Sequence, residues 1–338
     1  MLISDYDIDL EKVVKTIKNN NYKTIALQIP EGFKNYASKF VDFLEEKTNS
    51  TVIIIADPCY GACDIANIEL LNLGVDFVIQ IGHSELPNIG KYHIPMAFIN
   101  ALSKKEISKV VEKSLTYLEG KIIGIITTSQ HVHRLNEVED ILKKNNFKPL
   151  ISKGDKRISS KGQILGCNFS SATSLSKEVD CFLFIGSGTF HPLGILIDSK
   201  KPVIAADPYT NTVKKRELEE LKDAILRQRY GAIANSKNSK KFGILIGIKR
   251  GQQRMKLVPE LKKIIKDNNK ESLVISLDFF SPESLEGFRD IDCFVSTACP
   301  RVAIDDYLRY KIPIITPIEL EIVLGIRKWE DFKFDQIF

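Results

Sequence analysis

Cysteine is the residue type in this chain whose placement best indicates chemistry. The segment ADPCYGACD (56–64) contains Cys59 and Cys63, four residues apart and directly after the apolar run TVIII (51–55). Most zinc and iron–sulfur sites take three or four such ligands. These two thiols are therefore part of a metal site, a redox pair or simple neighbours, and a metal site would need further ligands from elsewhere in the chain.

The composition is that of a globular protein with ordinary cores. The chain has 338 residues, of which 43% are hydrophobic and 27% charged, enough for two or three domains. No apolar run approaches the roughly 18 residues of a membrane span, and the acidic start MLISDYDIDLEK lacks the features of a signal peptide. We therefore expect a cytoplasmic protein without a membrane partner.

The charge and the cysteine count narrow the function classes further. The net charge of +5 is spread over Lys-rich helices without interleaved aromatic residues, so we expect no direct nucleic-acid binding. Six cysteines in a cytoplasmic chain are expected to stay reduced. They are then buried thiols, catalytic groups or metal ligands.

The elements that must position these cysteines form an internal repeat. VDFVIQIGHS (75–84), VDCFLFIGSG (179–188) and IDCFVSTACP (291–300) share an apolar residue before Asp, a strand and an exit of small residues. The two strands before each of them are IALQI with TVIII, IIGII with GQILG, and FGILI with LVISL, and a further strand follows. This pattern predicts three copies of one unit of about 110 residues.

Amphipathic helical patterns alternate with these strands. Helices are predicted over 36–47, 136–145 and 258–268, and lead-in helices over 7–20, 103–118 and 212–229, the second with a capping box of Ser103 and Glu106. The alternation predicts an α/β fold in which three homologous four-stranded parallel domains are arranged with pseudo-threefold symmetry. Their predicted boundaries are 1–101, 102–211 and 212–338.

The repeat places three cysteines at equivalent ends of the predicted sheets. Cys59 and Cys167 follow the second predicted strand of their units, and Cys299 follows the third strand of the last unit. Ligands of parallel α/β sheets bind at these carboxyl ends. If the units pack around a common axis, three thiolates surround one point, which suits a [4Fe–4S] cluster with one iron open to a substrate.

The remaining cysteines have other expected roles. Cys181 and Cys293 lie near the start of the third strand, at the opposite end of the sheet, and are expected to be buried thiols. Cys63 lies about one helical turn beyond Cys59, so its side chain points either to a site or into the domain. Spacing alone also leaves open that all six cysteines are buried and bind no metal.

Several motifs, in this order, resemble those of the 2-(3-amino-3-carboxypropyl)histidine synthase family of archaeal diphthamide biosynthesis. They are ADPCYGACD, GCNFS, GSGTFHPLG, GIKRGQ and STACPRVAIDD, and the resemblance covers essentially the whole chain. It implies a homodimer of three-domain α/β subunits. It also implies that Cys59, Cys167 and Cys299 hold a [4Fe–4S] cluster, one from each domain.

The resemblance implies an unusual radical reaction of S-adenosylmethionine. The reduced cluster breaks the bond between sulfur and the methionine γ-carbon, and the resulting aminocarboxypropyl radical adds to carbon 2 of one histidine in translation elongation factor 2. Methylthioadenosine is the other product. The partners implied are the elongation factor and an electron donor that the sequence does not identify, and no catalytic side chain beyond the cluster is expected.

Residues at other strand ends are candidates for contacts with S-adenosylmethionine. They are Gly186, Ser187, Gly188, Thr189, His191 and Gln252. Plain turns and solvated loop groups explain such residues more often than ligand binding does. His83, Lys249 and Arg250 also follow predicted strand ends and are weaker candidates for the same site.

Two other functions are compatible with three cysteines around a cluster. Quinolinate synthase is also a three-repeat α/β enzyme with one cluster cysteine per domain, but its iron acts as a Lewis acid in a dehydration. The stretches STACPR and GTFHPLG argue against that family. A non-enzymatic iron–sulfur sensor is the third possibility, and the products formed from S-adenosylmethionine distinguish the three.

Overall fold

The computed structural model describes residues 1–65 and 68–338. Within these ranges the chain forms sixteen strands and ten α-helices, numbered in chain order. The strands are β1 (Leu2–Ile3), β2 (Tyr6–Ile8), β3 (Thr24–Gln28), β4 (Thr51–Ile55), β5 (Phe77–Ile81), β6 (Met96–Ile99), β7 (Ala101–Ser103), β8 (Ile122–Thr127), β9 (Lys148–Leu150), β10 (Cys181–Ile185), β11 (Val203–Asp207), β12 (Thr212–Lys214), β13 (Lys241–Gly247), β14 (Glu271–Leu277), β15 (Cys293–Ser296) and β16 (Ile314–Ile315). The α-helices are α1 (Glu11–Asn20), α2 (Ala37–Thr48), α3 (Ser108–Ser114), α4 (Leu135–Lys144), α5 (Ser170–Thr173), α6 (Phe190–Ser199), α7 (Arg216–Ser236), α8 (Val258–Asp267), α9 (Arg301–Ile304) and α10 (Pro317–Val323).

Three of the four sheets formed by the described residues are built on parallel strands. Their orders are β4-β3-β5-β6, β9-β8-β10-β11-β12 and β14-β13-β15-β16. Only β12 pairs antiparallel with its neighbour, so the second sheet has five strands rather than the predicted four. The prediction of an α/β fold with several parallel sheets is confirmed. A small antiparallel sheet, β1-β2-β7, accompanies them.

The three parallel sheets share one strand order. In each, the first strand of the unit lies between the second and the third, and the fourth lies beyond the third. From the first strand the chain therefore goes to the neighbour on one side, and it then crosses to the neighbour on the other side. This reversal of strand order opens a crevice at the carboxyl ends of the strands. A ligand site at this edge follows from the topology.

The edge of the second sheet beside β8 differs from the sequence prediction. The strand predicted over GQILG is wrong, because β9 occupies that edge position and 162–166 forms only two isolated bridges, Thr127 with Gln163 and Leu165 with Asn168. Gly162 has a positive φ of 70°, and its backbone turns across the end of β8 instead of running beside it. The segment still leads Cys167 to the carboxyl end of the sheet, because Ile164 donates its amide to Thr127.

The starts of the lead-in helices were also predicted wrongly. The start of each predicted helical range lies in a strand, namely β2, β7 or β12, and the helix begins after that strand. The capping box is absent because Ser103 lies in β7, where its carbonyl and hydroxyl bind His133 and Tyr209. The helices predicted over 36–47, 136–145 and 258–268 are confirmed as α2, α4 and α8.

The central strands are buried on both faces, as a covered parallel sheet requires. Every residue of β5, β10 and β11 is buried. Cys181 and Cys293 begin β10 and β15, lie in the cores beside them and are fully buried. The prediction that these two thiols are buried at the end opposite the site is confirmed.

Helix α7, which lies between β12 and β13 in the chain, carries a buried charge. Arg229 is fully buried, and its guanidinium binds both carboxylate oxygens of Glu319 at 2.7 Å and the carbonyl oxygen of Ile314 at 3.0 Å. Glu319 also closes a capping box with Thr316 at the start of α10. Among the described residues, no helix combines the length and apolar character needed to cross a bilayer.

We expect Glu319→Gln to lower the free energy of unfolding by about 3 kcal/mol, because it leaves the Arg229 charge buried without a counter-charge. Urea denaturation measures this difference. Glu220→Gln on α7 is the matched control, since Glu220 pairs with the exposed Arg216 and should contribute under about 1 kcal/mol. Equal effects of the two substitutions would contradict the role of burial.

Candidate metal centre

A cavity of about 550 Å³ lies where loops from the carboxyl ends of the three parallel sheets meet. Its wall includes residues that follow β4, β5, β8, β10, β13, β14 and β15. Each of the three parallel sheets therefore contributes residues to one site. A volume of this size matches a small-molecule pocket.

Three cysteines, one from each unit, line this cavity. They are Cys63, Cys167 and Cys299. Burial raises the pKa of all three thiols, and the charge of Cys167 raises the pKa of both Cys63 and Cys299, that of Cys299 to about 12. The three sulfurs therefore lie within electrostatic reach of one another.

Cys59 lies behind this wall. It is buried, but it is not among the described residues that line the cavity. Its Sγ lies 4.0 Å from His83 Nδ1 and accepts a hydrogen bond from Gln80 Nε2 at 3.6 Å. Burial and the nearby Asp64 raise the pKa of Cys59 to about 12. Of these two cysteines, Cys63 lines the cavity and the predicted Cys59 does not.

A tight turn explains why Cys63, rather than Cys59, lines the cavity. The amide of Asp64 donates to the carbonyl of Gly61 at 2.9 Å, and this turn directs Cys63 toward the cavity. The sequence pattern makes Cys59 and Cys167 equivalent, because each follows a predicted second strand. That equivalence fails because 162–166 is not a strand.

The loop of the third unit packs directly on the Cys63 loop. A Cβ atom added to Gly251 would lie 2.2 Å from the Cα of Cys63, so the two backbones touch. Gln252 Nε2 lies 3.7 Å from the Sγ of Cys63. Lys249 forms an ion pair with Asp64, whose carboxylate is almost fully buried. These contacts fix the Cys63 loop between the first and third units.

The last residues of the chain hold the Cys167 loop. The amide of Ile337 donates to the carbonyl of Cys167 at 2.9 Å, and the side chain of Gln336 accepts from Phe169 at 2.7 Å. Asp335 forms a buried ion pair with Arg254 of the third unit. This segment was not predicted from the sequence, because KFDQIF carries neither a periodic pattern nor a recognised motif.

The predicted contact residues divide into two groups. His191 and Gln252 line the cavity, together with His83, Lys249 and Arg301. The described wall does not include Gly186, Ser187, Gly188 or Thr189, which form the turn between β10 and α6. Burial lowers the pKa of both His83 and His191 to about 4, so the two imidazoles are neutral at pH 7.

The three thiols that line the cavity are a donor set that suits an iron–sulfur cluster rather than one ion. Among the described residues, no three His, Cys, Asp or Glu side chains are close enough together to hold a single metal ion. A zinc site requires all its sulfurs at about 2.3 Å from one centre. In a [4Fe–4S] cluster each cysteine binds a different iron, so the sulfurs lie further apart. The site therefore fits the cluster predicted from the sequence.

We expect Gly251→Ala to displace the Cys63 loop, because the added methyl group meets backbone atoms that cannot rotate away. The free energy of unfolding should fall by about 1–3 kcal/mol in urea denaturation. Gly231→Ala is the matched control, since no atom lies within 4 Å of its added Cβ. It should stabilise α7 by about 0.5–1 kcal/mol. A neutral Gly251→Ala would contradict the close packing.

Comparison with known proteins identifies the family. The family model for diphthamide synthesis proteins matches residues 29–333. The chain is 36% identical to the 2-(3-amino-3-carboxypropyl)histidine synthase of Pyrococcus horikoshii over 98% of this chain and 94% of that protein. It is 32% identical to the enzyme of the same name from Methanocaldococcus jannaschii, over 98% and 93% of the two chains.

A solved structure agrees with this result over the whole fold. The crystal structure of Dph2 from Pyrococcus horikoshii with a 4Fe-4S cluster has a TM-score of 0.88 and 34% sequence identity, and the match covers 98% of this chain and 94% of that chain. The resemblance seen in the sequence motifs is confirmed. The chain belongs to the family of diphthamide synthesis proteins.

Proposed function

We propose that this protein transfers the 3-amino-3-carboxypropyl group of S-adenosylmethionine to carbon 2 of a histidine in translation elongation factor 2, the first step of diphthamide biosynthesis. The observation that carries the proposal is that Cys63, Cys167 and Cys299 line one cavity. The synthase names of the two archaeal relatives support it, as does the 4Fe-4S cluster of the similar Pyrococcus horikoshii crystal structure.

The proposed cluster ligands differ from the sequence prediction at one position. We assign Cys63, Cys167 and Cys299 as the ligands of a [4Fe–4S] cluster, and Cys59 as a buried thiol beside the site. One ligand then comes from each of the units 1–101, 102–211 and 212–338. Their shared strand order supports the proposal that the units are homologous and related by a pseudo-threefold axis.

The cluster, when bound, would supply the electron for cleavage of the sulfonium and an iron site for S-adenosylmethionine. The chain itself excludes water and positions the substrate. The neutral His83 and His191 add no positive charge beside the sulfonium cation. The guanidinium of Arg301 lies 3.7 Å from the Phe190 ring centroid, is nearly half exposed and binds Asp305 through Nε, so its terminal nitrogens are the groups that could bind the carboxylate of the substrate.

The substrate contacts proposed from the sequence receive unequal support. His191 and Gln252 line the cavity, and we keep both as contacts of S-adenosylmethionine. Gly186, Ser187, Gly188 and Thr189 remain a prediction without a contribution to the described wall. No protein side chain acts as a nucleophile in this proposal. Binding, orientation and exclusion of water are the tasks of the chain.

The partners follow from the proposed reaction and from the resemblance. Elongation factor 2 must present its histidine at the cavity, and a one-electron donor must reduce the cluster. We also propose a cytoplasmic homodimer, as the family resemblance implies. The quinolinate-synthase and sensor alternatives have lost support, because the family match lies with diphthamide synthesis proteins.

The function is tested by the products of anaerobic incubation with dithionite, S-adenosylmethionine and archaeal elongation factor 2. Methylthioadenosine should be the adenosine product, because the bond to the γ-carbon breaks. Label in the carboxyl carbon of S-adenosylmethionine should move to one histidine of the factor, and label in the methyl group should not. If 5′-deoxyadenosine is the main product, or if a reduced cluster cleaves no S-adenosylmethionine, the proposal is contradicted.

The ligand assignment is tested by single substitutions and iron analysis. Cys63→Ala, Cys167→Ala and Cys299→Ala should each lose most of the bound iron after anaerobic reconstitution, because each removes a ligand. The matched controls Cys59→Ala, Cys181→Ala and Cys293→Ala should keep it. Loss of iron in Cys59→Ala with retention in Cys63→Ala would restore the ligand set predicted from the sequence.

A further inference from the structure

Arg157 is a buried cation at the cavity, and no described residue provides a carboxylate partner for it. Only 3% of its surface is exposed. One terminal nitrogen donates to the carbonyl of Gly251 at 2.6 Å, while Nε has no hydrogen-bond partner in the described part of the chain. A buried charge is strongly unfavourable unless a negative charge compensates it.

The cations that pair with buried carboxylates are already neutralised. The described ion pairs that contain a buried carboxylate are Lys249 with Asp64, Arg254 with Asp335 and Arg229 with Glu319. Asp155, near Arg157 in sequence, instead accepts from the amide of Arg157 and the side chain of Asn168. The counter-charge of Arg157 must therefore come from a different group.

The groups that can provide this charge are the cavity thiols. Arg157 lines the same cavity as Cys63 and Cys167. Gly251 accepts its hydrogen bond and touches the backbone of Cys63 on the other side. The guanidinium also lies within electrostatic reach of the Cys63 and Cys167 thiols. Arg157 thus lies between two of the three proposed ligands.

We propose that Arg157 is the counter-ion of the bound cluster and that its charge raises the reduction potential of that cluster. This inference rests on the proposed function. Three thiolates make the site anionic, and uptake of one electron from the reductant adds another negative charge. A fixed cation in a water-poor cavity therefore favours the reduced form. No bond to Arg157 forms or breaks, and it is a positioning and tuning residue.

Arg301 is less suited to this role, although it also lines the cavity. It pairs with Asp305, and nearly half of its side chain is exposed to solvent. A neighbouring carboxylate and water both weaken its effect on a buried charge. Arg157 differs from Lys249 and Arg301 in the wall because it is buried and has no carboxylate partner among the described residues.

The test compares the unchanged chain with Arg157→Gln and Arg157→Lys, each reconstituted anaerobically with iron and sulfide. Each protein is titrated with dithionite in the presence of redox mediators, and the reduced cluster is followed by electron paramagnetic resonance. At one fixed potential, Arg157→Gln should give about a tenfold lower ratio of reduced to oxidised cluster. For one electron this corresponds to about 59 mV. Arg157→Lys retains the charge and should remain close to the unchanged protein.

The outcomes separate a charge effect from a structural one. An unchanged potential in Arg157→Gln, or equal shifts in both variants, would overturn the proposal. If Arg157→Gln takes up no cluster, Arg157→Lys must still do so, and a loss in both would show that Arg157 only supports the loop. A failure of the proposed function looks different, because the unchanged chain would then lack the cluster signal or form no methylthioadenosine.

Discussion

The site depends on close backbone contact between loops that belong to different units. Gly251 of the third unit meets the backbone of Cys63 in the first, and Ile337 donates its amide to Cys167 in the second. Such contacts place sulfurs more firmly than long side chains would, because a backbone loses little further freedom once its neighbours are fixed. Cys63 and Cys167 therefore face the cavity only when all three units are assembled.

The electrostatics of the cavity follow from the burial of its thiols. Burial raises the pKa of Cys63, Cys167 and Cys299, so free thiolates are disfavoured even with Arg157 nearby. Bound iron would supply the further positive charge, and its binding to thiolates would release protons from the site. The same burial that disfavours the free thiolates also removes competing water ligands. The site is thus suited to hold a cluster once it is formed.

The sequence predicted the sheets better than it predicted the loops. Val- and Ile-rich runs reveal β3, β4, β8 and β13 because the strands of a covered sheet are apolar on both faces. The choice between Cys59 and Cys63 depends on one four-residue turn, and spacing does not reveal which side chain that turn directs inward. Arg157 was missed because a single arginine in a polar loop shows no periodicity.

Several charged groups in or near the cavity wall are neutralised. Lys249 and Arg254 are neutralised by buried carboxylates, and His83 and His191 are neutral, so these groups contribute little net field. The Arg157 charge, which has no carboxylate partner among the described residues, lies near Cys63 and Cys167. In the proposed reaction, a bound anionic cluster would have this fixed cation in the wall and the sulfonium cation of the substrate in the cavity. Both charges would favour uptake of an electron by the cluster, without a side chain that changes its own charge.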